Sequence, residues 1–423
     1  MDKSILDFGA VGDGTFLNTI AIQGAIDSCA LSGGGRVTVP SGRYKAGTVW
    51  LRDNVELYLS SGAELIASDD MDDYNALDAY GQNWSCPSEG WVGKHFIIAH
   101  ECKNCAITGF GRINGNCRAF VSEGASPAEN QYGWCNGVSV LKDAEKQRPG
   151  QLVCFIECEN VRVQDVTIVD SPCWSCYVLG CAFVQIRGLK VFNPLWMLNS
   201  DGIDIDASRY VTVSDCIIRT GDDAITLRAC EQRIKNKEMH CEYVTVTNCV
   251  LSTGICAFRV GVGTGVIRHA RISNIVIERC LQIAEFCTAY SEKGCANIED
   301  VNFSGISAQN TDKCFDAFAK NGAYIKNVTM ENIRTTSTLG NRIFCENGVI
   351  DGFTVRNAEI AFHDKTKELT PESLAWRGDR LLFVQRASNV TFDGVTLSGG
   401  LDGAKTALAL DACENFVKKD CNF

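Results

Sequence analysis

One short phrase recurs along this 423-residue chain, and it limits the possible folds more than any other feature. Each copy has a polar or small residue, then alternating apolar and polar positions, then a second apolar pair. It reads Asn160-Val-Arg-Val-Gln-Asp-Val-Thr-Ile, Tyr210-Val-Thr-Val-Ser-Asp-Cys-Ile-Ile and Tyr243-Val-Thr-Val-Thr-Asn-Cys-Val-Leu, and copies begin again at Ala270, Asp300, Asn327 and Asn389. From Tyr210 to Asn327 successive copies fall 27 to 33 residues apart, within the range of solenoid coils. Alternation of period two, with β-branched enrichment and Asn, Asp or Gly punctuation, marks strands. Together these predict an all-β chain wound as a right-handed parallel β-helix, with inward side chains stacked in ladders. A β-propeller would need longer, hairpin-built blades, and a sandwich should lack the repeat. Cys158, Cys181 and Cys241 hold the same place relative to their phrases and are expected to form one ladder.

The length is too great for an ordinary single core but natural for a chain that grows by stacking. No linker divides it, so residues 1–423 read as one domain. A solenoid needs a cap over its open core. Asn18 to Ala30 supplies a helix with Asn18 or Thr19 as N-cap, an apolar face of Ile22, Ala25, Ile26 and Cys29, and a stop at Gly33-Gly34-Gly35. Two polar insertions, from about Asp70 to Glu89 and from about Arg118 to Gly150, carry Tyr74, Tyr80, Trp84 and Trp134. These aromatics are candidates for sugar-stacking walls, or else anchor their own loops.

A net charge of −11 argues against nucleic acid as a partner. No stretch approaches the roughly 18 uninterrupted apolar residues that would span a membrane, and the N-terminus shows no secretory h-region. The 23 cysteines are odd in number and many lie inside apolar strands, where free thiols pack as small hydrophobes. They point to a reducing cytoplasm with few or no disulfides. The pairs Cys102/Cys105 and Cys173/Cys176 have zinc-like spacing. Residues three apart in a strand face opposite ways, however, so no metal site is expected.

The chemistry concentrates in Asn199-Ser-Asp-Gly-Ile-Asp and Gly221-Asp-Asp-Ala. Asp201, Asp222 and Asp223 stand one repeat apart, and stacked coils would bring them to one wall. Hydrolysis of a glycosidic bond needs one protonated carboxyl for the leaving group and one carboxylate to activate water. Crowded like charges raise at least one pKa, which lets one member of such a cluster keep its proton. Asp222 and Asp223 would face opposite ways in a regular strand, so a turn or bulge at Gly221 is required. The plainer alternative has aspartates capping coil turns, a role also open to Asp204 and Asp206.

These motifs, with Asp7-Phe-Gly-Ala-Val-Gly-Asp-Gly and Val39-Pro-Ser-Gly-Arg-Tyr, resemble glycoside hydrolase family 28, the polygalacturonase-like family with the pectin-lyase-like solenoid. The opening motif is shared by many β-helix proteins, whereas Asn-x-Asp-Gly followed about twenty residues later by Gly-Asp-Asp is specific. The resemblance implies hydrolysis with inversion. It also implies Asp222 as general acid, with Asp201 and Asp223 holding the water, and no cofactor or metal. Two departures stand out. Cys256 occupies the place of the family's Gly-His-Gly histidine, and Gln282-Ile-Ala-Glu-Phe-Cys replaces its Arg-Ile-Lys, putting Glu285 where a cation is expected. Arg228 and Arg259 follow the apolar parts of neighbouring coils and are candidates to support Asp222 or bind substrate oxygens.

An anion in place of a cationic clamp disfavours a uronate. The sequence therefore leads to an exo-acting hydrolase that releases a neutral sugar, of rhamnose, xylose or apiose type, from a plant glycoside or pectic oligosaccharide. The alternatives are a hydrolase of galacturonate-containing oligosaccharides with a rebuilt clamp, and a non-catalytic glycan-binding β-helix. The expected partner is a carbohydrate or small glycoside. Pairing of chains into a homo-oligomer through exposed edges is left open.

Overall fold

Each repeated phrase becomes a strand of alternating burial. In Glu159–Gln164 the inward Val161 and Val163 are buried and the residues between them are not. The same alternation holds in Ala182–Arg187 and Arg209–Ser214, and the strands pair in parallel: Val161 lies beside Val184, and Val184 beside Val211. In most copies the first residue of the phrase turns the corner into its strand. Asn160, Tyr210, Tyr243, Asn327 and Asn389 all have φ between 52° and 58°. Asn tolerates this left-handed region better than most residues, which explains the punctuation.

The corners stack as side chains too. Asn160 donates to Asn104 and Asn104 to Asn54, at 2.7 and 2.8 Å. Next along the stack come the rings of Phe183, Tyr210, Tyr243 and His269, each 5.1–5.2 Å from its neighbour.

The computed structural model describes residues 2–75, 93–123, 139–142, 148–290, 294–364 and 380–423. Apart from one antiparallel pair, Val121–Glu123 with Ser139–Leu141, its strands form one continuous parallel solenoid, right-handed as parallel crossovers almost always are. The helix Thr19–Leu31 covers the first coils with Ile22, Ala25, Ile26 and Cys29 buried. Asn18 occupies the N-cap position, but its side chain is not the cap. Its amide instead bonds Val11, Phe16 and Lys45, tying the loop before the helix to the second coil. Among the described residues no helix is long and apolar enough to cross a membrane.

All 21 described cysteines are free thiols. The expected ladder is present and longer than foreseen. The Cys102 N–H points to Cys158 Sγ, the Cys158 N–H to Cys181 Sγ, and the Cys181 N–H to Ser208 Oγ, so a serine stands between Cys181 and Cys241. Cys102 and Cys105 differ from expectation. Asn104 between them is left-handed, so both are buried beside Cys158 rather than facing opposite ways. Of the loop aromatics, Tyr74 is buried and donates to Ser68 O at 2.6 Å, anchoring its own loop. Tyr80, Trp84 and Trp134 lie outside the described residues.

A second wall of the solenoid carries the acidic motifs. It runs through Ile97–His100, Val153–Ile156, Cys176–Leu179, Ile203–Asp206, Ile225–Ala229 and Cys256–Gly263. It continues through Cys280–Cys287, Thr311–Ala319 and Asn341–Cys345. Register aligns its outward positions in rows. One row reads Ile98, Cys154, Tyr177, Asp204, Thr226, Arg259, Glu285, Asp316, Arg342.

Candidate functional site

Asp201, Asp222 and Asp223 precede the strands of two adjoining rungs, and all three are buried. Pairing of the rungs places Gly202 N–H on Asp223 O at 2.9 Å and Ile203 N–H on Ala224 O at 3.0 Å. One carboxylate oxygen of each aspartate lies within 4.8 Å of one from each of the others. The turn required at Gly221 is present, and glycine is needed there for space. A Cβ at that position would come 2.1 Å from Met197 O.

Each carboxyl has a distinct setting. Asp222 accepts from the N–H groups of Asn199 (3.0 Å) and Asp223 (2.9 Å). Burial and the Asp223 charge nonetheless push it up to about 7. Asp201 is driven well above the usual carboxylate range by burial and by the charges of Asp204, Asp222 and Asp223, and its Oδ1 has no hydrogen-bond partner among the described residues. Asp223 is tied down on the opposite side. Arg259 bonds both of its oxygens, and the Cys256 N–H reaches Oδ1 at 3.0 Å. The cluster thus offers a carboxyl that keeps its proton to near neutrality beside a carboxyl group fixed by a guanidinium. That is an acid–base division of the kind general catalysis needs.

The remaining sequence candidates separate into two groups. Arg259, Glu285 and Cys256 meet at the acidic cluster. Arg259 also bonds Glu285, Cys256 Sγ donates to Glu285 Oε2 at 3.3 Å, and Gln282 reaches Cys256 Sγ at 3.3 Å. Tyr290 lies against the Arg259 guanidinium at 4.8 Å.

Arg228 is not part of this group. It is buried one row away between Asp204 (3.7 Å) and Asp206 (3.4 Å), with its guanidinium 4.2 Å over Trp174. Asp204 and Asp206 accordingly hold an arginine, and Asp206 also accepts the Cys230 N–H at 2.7 Å where the chain turns after its strand. Asp204 is itself pushed up to about 7 by burial, opposed by Arg228. His269 stacks on Tyr243 and bonds Asp300 at 2.7 Å, away from the site.

Two features escaped sequence reasoning. On the N-terminal side of the acids the outer face of the wall is sealed. Ile98, Cys154, Ile156, Tyr177 and Leu179 are buried there in a second apolar cluster with Trp174, Ile234 and Met239. The signal was present in Cys176-Tyr-Val-Leu, a strand with no polar outward position, which is how a strand covered on both faces reads. On the C-terminal side, Lys313 and Arg342 both bond Asp316 (2.5 and 2.6 Å). Their signal was four charges, Asp312, Lys313, Asp316 and Arg342, in two buried strands.

Oxygens gathered this closely would also fit a divalent cation. A second acidic group, His100, Glu101 and Glu157, is engaged by Lys235 through its backbone N–H and its ammonium.

Comparison with known proteins finds likenesses chiefly to glycosyl hydrolases. The family model for glycosyl hydrolases family 28 matches residues 70–254, which include all three aspartates. An exo-poly-alpha-D-galacturonosidase from Dickeya chrysanthemi is 30% identical over 256 residues, covering 53% of this chain and 42% of its own. The chain spans about half the length of the curated relatives it matches. Among solved structures, the family 28 exopolygalacturonase of Yersinia enterocolitica aligns with a TM-score of 0.75 at 22% identity, covering 98% of this chain and 78% of that one. The exopolygalacturonase of Thermotoga maritima aligns with a TM-score of 0.66 at 20% identity, covering 100% and 93%. These two likenesses show the fold.

Proposed function

We propose that this chain, a divergent relative of the glycosyl hydrolases of family 28, hydrolyses galacturonate-containing pectic chains from one end and inverts the anomeric centre. The observation that carries the reading is the convergence of Asp201, Asp222 and Asp223 on one face of two adjoining rungs, beside a sealed stretch of wall. Asp222, held near neutrality between its protonated and ionised forms, is the acid that protonates the departing oxygen. Asp201, with an oxygen free to accept, and Asp223, held by Arg259, position the attacking water.

The apolar cluster at Trp174, Tyr177, Ile234 and Met239 supports the exo reading, because a chain lying along the wall would run into buried side chains beyond the acids.

The neutral-sugar expectation is not carried forward. The curated relatives are named as polygalacturonases or galacturonosidases. The premise of a missing clamp also changes, because Arg259, Lys313 and Arg342 bring cations to the same face from other coils. Inversion rests on kinship rather than spacing. Inverting pairs usually stand about 6.5–9.5 Å apart and retaining pairs about 5–5.5 Å, and the closest oxygens here lie within 4.8 Å. We also propose a reducing, cytoplasmic setting, supported by the buried free thiols.

The test is hydrolysis of oligogalacturonates followed by NMR. The expected result is release of galacturonic acid monomer with the anomeric configuration opposite to that of the bond cleaved. Cleavage of nitrophenyl rhamnoside or xyloside, with oligogalacturonates untouched, would return the substrate to a neutral sugar. Activity on neither would replace hydrolysis with glycan binding.

A further inference from the structure

The insertion that begins near Arg118 ends beside Arg148, a residue that is almost fully buried. No step proposed above uses it. Among its bonds, Nη1 donates to Pro172 O at 2.8 Å and to Leu198 O at 2.9 Å, and Nη2 donates to Asn199 Oδ1 at 2.6 Å. Residues 148, 172 and 198 lie just before three successive rungs, Val153–Ile156, Cys176–Leu179 and Ile203–Asp206. The next rung, Ile225–Ala229, is the one that Asp222 precedes. A guanidinium carries its donors in a flat fork, so one side chain can address all three oxygens.

Two of those bonds bear on the acid. Leu198 O and the Asn199 N–H belong to one peptide group. A trans peptide is planar and directs its C=O and its N–H to opposite sides. Arg148 lies at the oxygen end. Asp222 Oδ2 lies at the other and accepts the Asn199 N–H at 3.0 Å. The peptide thus stands between a buried cation and the carboxyl assigned as the acid. Hydrogen bonds in such a chain polarise one another, so a guanidinium on the carbonyl makes the N–H a stronger donor. Asn199 itself has φ of 51°, in the left-handed region. Arg148 grips this turn on both sides of its N–H, through Leu198 O and through Asn199 Oδ1.

We propose that Arg148 is a positioning residue for the acid. It acts through the Leu198–Asn199 peptide, fixing the direction of one of the two N–H groups that hold Asp222 and strengthening it as a donor. A role confined to fastening turns would account for the Pro172 bond alone. This inference rests on the assignment of Asp222 as the acid. The charged groups facing Asp222 are Asp201, Asp223 and, bound to Asp223, Arg259. An N–H bond to a carboxylate favours its ionised form, so weakening that bond raises the pH at which the acid loses its proton.

The experiment follows kcat and KM on trigalacturonate against pH for the wild type, Arg148→Gln, Arg148→Lys and Asn199→Gly. In Arg148→Gln, kcat should fall about tenfold while KM stays within about twofold, the pattern of a reacting group that has lost its orientation. The basic limb of kcat should move up by about half a pH unit to one unit, as expected when one hydrogen bond to a charged group is weakened. Arg148→Lys keeps the charge and should recover most of kcat. A folded Arg148→Gln whose basic limb stays in place overturns the proposal, whatever its melting temperature. If that variant does not fold, Asn199→Gly takes its place. Glycine accepts the left-handed turn and removes only the Oδ1 grip, so an unmoved limb there overturns the proposal equally. If the wild type hydrolyses no oligogalacturonate, the parent reading has failed instead. The amide resonance of Asn199 in protein labelled with ¹⁵N-asparagine, assigned by its loss in Asn199→Gly, then reads the peptide alone. It should move upfield in Arg148→Gln, and less so in Arg148→Lys. An unchanged position in whichever of the two folds overturns the inference.

Discussion

The coils before the acidic cluster and the coils after it use the same rungs, register and inward ladder, yet present different outer faces. Before it, the outward row reads Ile98, Cys154 and Tyr177 and is covered by Trp174, Ile234 and Met239. After it, the row reads Arg259, Glu285, Asp316 and Arg342. Inward positions hold the solenoid together. The outer face is then free to be sealed on one side and charged on the other, and the acidic cluster sits at the junction. The candidate site uses the alternate positions that the fold does not.

The largest effect should come from the junction itself. Asp222→Asn removes the carboxyl assigned as the acid, and hydrolysis should fall by about 10³-fold, within the range for general acid–base groups. Initial rates on oligogalacturonate read this directly, and residual activity near wild type would move the acid elsewhere. Arg259→Gln is next. It strips the partner from Asp223 and Glu285 together, and breaking a buried pair costs about 3–5 kcal/mol. It should therefore lower both kcat/KM and the melting temperature, with kcat falling more than KM rises.

Opening the sealed side sharpens the contrast. Truncating Ile234 and Met239 to Ala together should cost about 2–5 kcal/mol per buried side chain. It should also let dimers and trimers appear among the products by chromatography. If the variant still releases only monomer, the wall does not set the exo mode.

A smaller effect concerns pH. Asp222 and Asp204 are both pushed up to about 7, and Asp201 is raised as well. Between about pH 4 and 7 the folded state therefore binds protons that the unfolded chain has released, so these groups lower stability as pH rises through that window. Asp222→Asn should melt higher than wild type at pH 8 and show little gain at pH 4. Equal shifts at both pH values would mean the carboxyl is not proton-linked to folding. The smallest effect is expected at Cys256→Ser, which keeps a donor for Glu285 and the backbone N–H to Asp223. Its activity should stay within a few-fold of wild type, because the exchange is nearly isosteric.

The solenoid was legible because its requirements are local and repeated. Asn160, Asn327 and Asn389 mark left-handed corners, and the valines after them mark an inward row. The acids were legible because Gly202 and Gly221 bracket them in motifs that only a close-packed turn demands. Arg228 was harder to place, because nothing in its own strand shows that Asp204 and Asp206 would claim it. The CxxC at Cys102 misled for a related reason. One left-handed residue, Asn104, returns both thiols to the same side and defeats an argument built on regular pleating. The sealed wall was missed because Trp174, Ile234 and Met239 have the composition of any core, and only the coordinates reveal that the core is a second one.

Because Asp201 and Asp223 are fastened to neighbouring rungs through main-chain bonds, the gap between them is set by the pitch of the solenoid and not by how well a few side chains pack. A site built this way has little scope to loosen ahead of its scaffold. Heating should leave the reaction intact until whole coils let go, so the temperature at which turnover collapses and the temperature at which the coils melt should coincide.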